Sequence, residues 1–149
     1  LDADHPSSVR PGKRPRLTPS PALVLRDGQP FMGLGTPGGD VQSQSMMQAF
    51  LNVVEFGMSM QQAVEAPRCY TASFPNSFTP HQYLPGRLNL EAPFSDAVVE
   101  SMRARGHDVE VWPEFPASGG AVCAVMRDAA TGWLHAGADP RREAYAMAW

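Results

Sequence analysis

Two adjacent glycines, Gly38 and Gly39, lie between an apolar segment and a long segment with helical periodicity. Glycine has no Cβ, so a pair of glycines lets the backbone turn sharply and lets a ligand approach the main chain closely. The helix predicted to follow directs its unpaired N–H groups and the positive end of its dipole toward this turn. An anion or oxyanion pocket is therefore predicted at Thr36-Pro37-Gly38-Gly39-Asp40, although nothing near it is an obvious nucleophile.

Composition limits the classes of function. The 149 residues suffice for one modest domain or part of one, and the 43% apolar content allows a hydrophobic core. A net charge of −3 and a pI of about 5.7 argue against a nucleic-acid partner. No apolar run long enough for a membrane span occurs, and no cysteine or histidine spacing predicts a metal site or a cofactor.

The N-terminal segment differs in composition from the rest of the chain. Residues 1–19 are polar and proline-rich and predict an extended arm, followed by one domain over residues 20–149. Basic side chains near position 14 can bind a carboxylate, but a solvated arm or a contact with a partner chain is the favoured interpretation. The first residue is Leu1 and no signal peptide follows, which indicates a processed or trimmed piece. The compartment, periplasmic or cytoplasmic, stays open.

Local patterns predict a layered α+β protein with antiparallel strands. A hairpin is predicted over residues 22–35, because Asp27-Gly28 supplies the positive φ that a tight turn needs. The first helix is predicted to bury a face made of Met46, Met47, Phe50, Leu51 and Val54. Helices are predicted over 41–56, over 59–66 with a capping box at Ser59, and over 95–105. Further strands are predicted over 88–91, 109–111, 121–126, 133–137 and 144–149. Residues 68–85 are predicted to be irregular.

Two features of these strands predict burial. Residues 121–126 are continuously apolar, which is typical of a strand buried on both faces. Cys69 and Cys123 are far apart in apolar contexts, so buried free thiols are favoured over a disulfide.

The remaining candidate residues favour structural roles. The serines near the glycine pairs lack the Gly-x-Ser-x-Gly pattern of a serine hydrolase. Gly119-Gly120 predicts a turn into a strand rather than a second anion site, and Asp139 with Arg141 predicts a structural ion pair at a turn. The residues interpreted as structural or surface are His5, His81, His107, His135, Ser43, Ser45 and Ser118.

Several strings, in order, resemble the small subunit of γ-glutamyltranspeptidases. They run from about residue 10 to the end of the chain. The matching strings are Lys13-Arg14-Pro15 before Ser20-Pro21, Gly35 to Asp40, Leu51 to Met58, Ala63 to Arg68, and Gly137-Ala138-Asp139-Pro140-Arg141-Arg142.

The resemblance implies an N-terminal-nucleophile hydrolase with a four-layer αββα sandwich of antiparallel sheets. Precursors in this family cleave themselves and expose a threonine, whose hydroxyl attacks a γ-glutamyl amide and forms an acyl-enzyme. The nucleophile is expected upstream of this chain, which then corresponds to the C-terminal part of the small subunit. Its partners would be the large subunit and the N-terminal part of the small subunit. We expect no catalysis from the chain alone, and we expect exposed apolar surface that favours self-association.

The resemblance also assigns site residues. Gly38 and Gly39 correspond to the glycine pair whose amides stabilise the tetrahedral oxyanion. Leu17 and Thr18 occupy the places of two serines that hold the substrate carboxylate, and Leu17 cannot donate a hydrogen bond. A non-glutamyl amide, as in an acylase or amidohydrolase, therefore fits as well as a γ-glutamyl substrate. Transferase and hydrolase activities both stay open, as does a non-catalytic fragment or pseudoenzyme module acting in subunit association.

Overall fold

The computed structural model describes residues 2–15 and 17–148. Short 3₁₀ turns at Gly39–Val41 and Ala117–Gly119 precede the first helix and the sixth strand. The helices and strands of the described ranges are β1 (Ala22–Arg26), β2 (Gln29–Gly35), α1 (Gln42–Val54), α2 (Met60–Glu65), β3 (Cys69–Thr71), β4 (Arg87–Glu91), α3 (Asp96–Ala104), β5 (Asp108–Trp112), β6 (Cys123–Arg127) and β7 (Leu134–Ala138).

The first sheet is antiparallel throughout, with the strand order β1-β2-β6-β7. Its first two strands form the predicted hairpin. Asp27 and Gly28 have φ values of 52° and 76°, as expected for a turn with positive φ at both central residues. Met32 pairs with Met126 in the centre of this sheet. Strand β2 ends at Gly35, shortly before the glycine pair.

The second sheet has the order β3-β4-β5 and is mixed. Strands β3 and β4 are antiparallel, whereas β4 and β5 are parallel and are connected through α3. The prediction of antiparallel strands alone is therefore wrong for this pair. A helical crossover returns the chain to the same end of the sheet, which makes the next strand parallel. The predicted cap of α3 is confirmed, since the Ser95 hydroxyl accepts a hydrogen bond from the Val98 amide at 3.4 Å.

The hydrophobic core lies between the first sheet and the helices α1 and α2. The buried face of α1 consists of Gln42, Ser45, Met46 and Ala49, spaced as one helical face. Met46 is buried and Phe50 packs against the core, as predicted, but Met47 is 57% exposed and does not belong to this face. The capping box that begins α2 at Ser59 is confirmed. No helix of the described ranges is both long and apolar enough to cross a bilayer.

Helix α1 also holds the edge of the second sheet. The side-chain amide of Gln48 donates to the Cys69 carbonyl at 2.8 Å and its oxygen accepts from the Cys69 amide at 2.9 Å. The oxygen of Gln44 accepts from the Thr71 amide at 2.9 Å. These side chains satisfy backbone groups of β3 that would otherwise be an unpaired strand edge. They also place Tyr70, between them, at the side of the glycine loop.

Three predictions about the strands are corrected. The segment 68–85 is not wholly irregular, because it contains β3. Strand β6 is buried on one face alone: Ala124 packs into the core, while Cys123 and Val125 are exposed on the opposite face. Alternation of side chains across a strand explains this, since α1 and α2 cover one side of the sheet. No strand is found in residues 144–148.

Candidate functional site

The glycine pair occupies the predicted position between β2 and α1, and the backbone favours glycine at both places. Gly38 has a φ of 134° and Gly39 a φ of 59°. A Cβ on Gly38 would lie 2.6 Å from Val41 Cγ1, and one on Gly39 would lie 2.8 Å from Phe78 Cε2. A side chain at either place would force its neighbour to shift and would adopt a strained backbone conformation, so the loop strongly favours glycine at both positions.

Neither glycine amide donates a hydrogen bond to the residues that the structure describes. Both residues line a cleft of about 510 Å³. Both glycines therefore line a concave surface, and their amides have no acceptor among the described residues.

The cleft combines aromatic walls with polar groups. Tyr70 and Trp112, on β3 and β5, stack with ring centroids 5.8 Å apart. Arg142 lies at the cleft as well, and its Nη2 donates to the Ala117 carbonyl at 3.2 Å. Such a mixture suits a small organic substrate that carries polar groups. The other lining residues include Phe74, Phe78, Asn76, Gln82, Asn89, Glu110 and Ser118.

The chain between β3 and β4 folds over the glycine pair. Asp40 Oδ2 accepts a hydrogen bond from the Ser77 amide at 2.6 Å. The ring of the next residue, Phe78, lies against Gly39, within 2.8 Å of where a Cβ on this glycine would be. Asp40 thus ties this loop to the start of α1 and closes one side of the cleft.

The two predicted carboxylate contacts are placed differently. Thr18 lines a smaller cleft of about 250 Å³ together with Gly39 and Asp40, and its carbonyl accepts from Gln42 Nε2 at 3.1 Å. Leu17 is 72% exposed and lines neither cleft. The structure therefore brings Thr18, but not Leu17, to the glycine pair.

A buried cluster of charges lies behind the glycine loop. Arg68 Nη2 is 2.5 Å from Asp139 Oδ2, and Arg141 Nη1 is 2.9 Å from Asp139 Oδ1. Arg141 also forms two hydrogen bonds with Glu91: Nε donates to Oε1 at 2.9 Å, and Nη2 donates to Oε2. The predicted Asp139–Arg141 ion pair is confirmed, but it is one part of a four-residue cluster. Two cations and two anions balance, which makes burial of the charges tolerable.

Burial and pairing act in opposite directions on the two guanidinium groups. Burial lowers the pKa of Arg68 from its ordinary value, and the Asp139 carboxylate opposes this change. Burial also acts to lower the pKa of Arg141, but the Glu91 hydrogen bond and the Asp139 charge outweigh it and raise the pKa. Arginine stays protonated in proteins, so both residues act as fixed cations.

The remaining candidates have structural or surface positions. The hydroxyl of Ser45 is buried and donates to the Gly119 carbonyl at 2.9 Å. The Gly119-Gly120 turn leads into β6, as predicted. His5, His81, His107 and His135 are exposed, which confirms their surface interpretation. Among the described residues, no three histidine, cysteine or acidic side chains cluster as metal ligands.

Sequence reasoning missed most of the cleft wall. Tyr70 lies in the segment predicted as irregular, and Trp112 lies one residue beyond its predicted strand. Period-two alternation places Trp112 on the same face of the strand as Glu110, which also lines the cleft, and was the available signal. No local pattern pairs β3 with β5 across β4.

Comparison with known proteins supports the assignment that the sequence suggests. The family model for gamma-glutamyltranspeptidase matches residues 1–149. The glutathione hydrolase-like YwrD proenzyme of Bacillus subtilis is 32% identical over 99% of this chain and 27% of its own length. The oxamate amidohydrolase proenzyme of Klebsiella pneumoniae is 33% identical over 95% of this chain and 25% of its own length.

A solved structure, that of LmbA2991HD, has a TM-score of 0.78 and 43% identity, covering 94% of this chain and 25% of that one. The chain thus spans about a quarter of the length of each of these relatives, with 27% and 25% for the two curated proteins. The family match over the full 149 residues confirms the resemblance, and the chain belongs to the gamma-glutamyltranspeptidase family.

Proposed function

We propose that this chain forms one wall of the substrate cleft and supplies two oxyanion-binding amides in an N-terminal-nucleophile amide hydrolase or acyltransferase. The threonine nucleophile would come from sequence outside these 149 residues. It would attack the substrate amide, and the carbonyl oxygen would take on negative charge next to Gly38 and Gly39. Collapse of this intermediate would break the C–N bond, expel the protonated amine and leave the acyl group on the threonine oxygen. Water or an acceptor amine would then take up the acyl group and free the hydroxyl. The 149-residue chain by itself would be inactive.

The pair of unengaged glycine amides at the cleft carries this proposal. Preorganised N–H donors stabilise the charge that develops in a tetrahedral intermediate. The positive φ of both glycines and the close packing of Val41 and Phe78 fix the loop before substrate arrives. Fixed donors need little reorganisation during the reaction, which is the physical source of their effect on rate.

The exposed face of the first sheet supports an assembly of several layers. Helices cover one face of β1-β2-β6-β7, while Leu23 and Val125 on the other face are 69% and 41% exposed. We propose that a sheet from the remainder of the same precursor packs here and completes the four-layer sandwich. The large subunit and the N-terminal part of the small subunit are the proposed partners.

The acyl substrate is a small amide, and Leu17 favours one other than γ-glutamyl. The resemblance gives this position a hydroxyl that binds the substrate carboxylate, and leucine has none. One relative is named an oxamate amidohydrolase, so the family includes amidases of other small acids. An acylase or amidohydrolase with a non-glutamyl substrate is therefore the second candidate.

The test uses the complete, processed protein with substitutions in the glycine loop. Hydrolysis of a γ-glutamyl anilide, oxamate and an N-acyl amide is measured for the unaltered protein, and the best substrate is carried forward. Gly38→Ala and Gly39→Ala displace the donors, and we expect kcat to fall by roughly 10²–10³. Gly35→Ala is the matched control, because its Cβ would meet nothing within 4 Å.

Equal activity of Gly38→Ala, Gly39→Ala and Gly35→Ala would refute the oxyanion role. No turnover by the processed protein on any of the amides would favour a non-catalytic module. Self-cleavage of each variant is followed by gel electrophoresis, so that a failure of maturation is separated from a loss of turnover.

A further inference from the structure

The hydroxyl of Thr36 makes two short hydrogen bonds of opposite sense. Its Oγ1 accepts from the Ala121 amide at 2.7 Å and donates to the Pro37 carbonyl at 2.7 Å. A hydroxyl has one proton to donate, so accepting from an amide leaves that proton for the carbonyl. Thr36 thereby connects the turn before β6 with the first peptide group of the glycine loop.

The Pro37 carbonyl and the Gly38 amide belong to the same peptide group. The cis peptide bonds of the described residues are Thr79–Pro80 and Ala92–Pro93, so Pro37–Gly38 is trans. In a planar trans peptide the C=O and N–H bonds point in opposite directions. Fixing the carbonyl of Pro37 therefore fixes the direction of the Gly38 N–H.

That carbonyl faces the Gly119-Gly120 turn. A Cβ built on Gly120 would lie 3.2 Å from the Pro37 oxygen and 2.8 Å from Thr36 Oγ1. The Gly38 N–H consequently points away from this turn, and Gly38 itself lines the main cleft. Without the Thr36 bond, the glycine at this place would give the peptide group more freedom to rotate.

Hydrogen bonds also hold the backbone on either side of Ala121, the residue whose amide donates to Thr36. The Gly119 carbonyl accepts from Arg68 Nη1 at 3.1 Å and from Ser45 Oγ at 2.9 Å. The Val122 amide donates to Asp139 Oδ2 at 2.8 Å. The buried charge cluster therefore fixes the backbone on both sides of Ala121.

We propose that Thr36 is a positioning residue: its hydroxyl transfers the fixed position of the Ala121 amide to the Pro37–Gly38 peptide and so aims the Gly38 N–H. The catalytic consequence rests on the function proposed above. Thr36 touches neither substrate nor nucleophile in this role. Its effect is on the direction of a donor, and through it on the rate of the chemical step.

The test compares Thr36→Val with Thr36→Ser in the complete, processed protein. Valine keeps the shape of threonine and removes the hydroxyl, while serine keeps the hydroxyl. We expect Thr36→Val to lower kcat by about tenfold to a hundredfold with little change in KM, less than removal of a donor, and Thr36→Ser to recover most of the rate. We expect the same result for Thr36→Ala, which replaces Thr36→Val if the valine variant does not fold.

A second measurement separates positioning from catalysis. The protein is labelled with ¹⁵N-glycine, and the Gly38 amide resonance is assigned through its loss in Gly38→Ala. We expect this resonance to shift in Thr36→Val and to stay close to its original position in Thr36→Ser. An unchanged resonance in Thr36→Val overturns the inference whatever the rates are. A shifted resonance with unchanged kcat supports the positioning and refutes the oxyanion role of Gly38 instead.

Discussion

Arg68 and Asp139 are 71 residues apart in sequence, yet Arg68 Nη2 lies 2.5 Å from Asp139 Oδ2 in the interior of the protein. The two side chains are 3% and 0% exposed. Asp139 also accepts from Arg141 and from the Val122 amide. One carboxylate thus holds together the chain after α2, the entrance to β6 and the chain after β7. The turn before β6, which contacts the glycine loop through Thr36, is one of the attached segments.

Replacing Asp139 by Asn should destabilise the protein strongly. The substitution leaves two buried arginines with Glu91 as their one remaining anion in the cluster, and an uncompensated buried charge costs about 3–5 kcal/mol. The free energy of unfolding of the complete protein, measured in urea, checks this. Asp108→Asn is the matched control, because it removes one of the two carboxylate partners of Arg87 at a site where the aspartate is 63% exposed. A loss in Asp139→Asn no larger than in Asp108→Asn would contradict the prediction.

The two cysteines should differ in reactivity in the 149-residue chain. Burial raises the pKa of the Cys69 thiol above its ordinary value, because the thiolate is desolvated, and Cys123 is exposed. We expect iodoacetamide to modify Cys123 first, and the rate at Cys69 to keep rising at pH values above the ordinary thiol pKa. Mass spectrometry after timed quenching measures both rates, with Cys123→Ala identifying the slow site. Equal rates at neutral pH would refute this difference.

The same pKa shift gives the sign of a stability effect. A group whose folded pKa is raised contributes its stability fully below the unfolded pKa and loses it as the pH rises through the folded value. Cys69→Ala should therefore flatten the decline in unfolding free energy on the alkaline side of the ordinary thiol pKa. The acid side should keep its slope. A variant with an unchanged alkaline slope would show that Cys69 does not contribute.

The isolated 149-residue chain should associate through the uncovered face of its first sheet. Leu23 and Leu25 are 69% and 57% exposed on β1, opposite the face whose Val24 packs into the core. Exposed apolar patches of this kind promote contacts between molecules. Light scattering is expected to show oligomers, and a hydrophobic dye is expected to bind. Leu23→Glu should reduce both signals, whereas Phe56→Glu, at an exposed position beyond the end of α1, should not. A compact monomer without dye binding would contradict the prediction.

Local signals in the sequence predicted the parts of the fold that local chemistry determines. Asp27-Gly28 set the hairpin turn, Ser59 and Ser95 set the starts of two helices, and the glycine pair set the loop. Each of these depends on residues within one turn of the chain. These turns and helix starts can therefore be predicted from the sequence without knowledge of any tertiary contact.

Long-range contacts explain what the sequence did not predict. The parallel pairing of β4 with β5 depends on how α3 packs, and the period-two pattern is the same in either direction. No local pattern indicates that Arg68 meets Asp139 or that Glu91 meets Arg141. The exposed face of β6 carries Cys123 and Val125, whose apolar side chains extend the pattern that predicted a strand buried on both faces. Composition indicates burial, but it does not indicate what provides it.

Replacing Leu17 by Ser should raise activity toward γ-glutamyl substrates in the complete, processed protein. The resemblance places this residue and Thr18 where two hydroxyls bind the substrate carboxylate, and Thr18 already lines the small cleft beside Gly39. A hydrogen bond to a charged group contributes about 1.5–3 kcal/mol, so kcat/KM for a γ-glutamyl anilide should rise by at least about tenfold. Leu17→Ala is the control, since it removes the leucine side chain without adding a donor. If alanine and serine change kcat/KM equally, the gain comes from space and not from the hydroxyl, and position 17 does not bind the carboxylate.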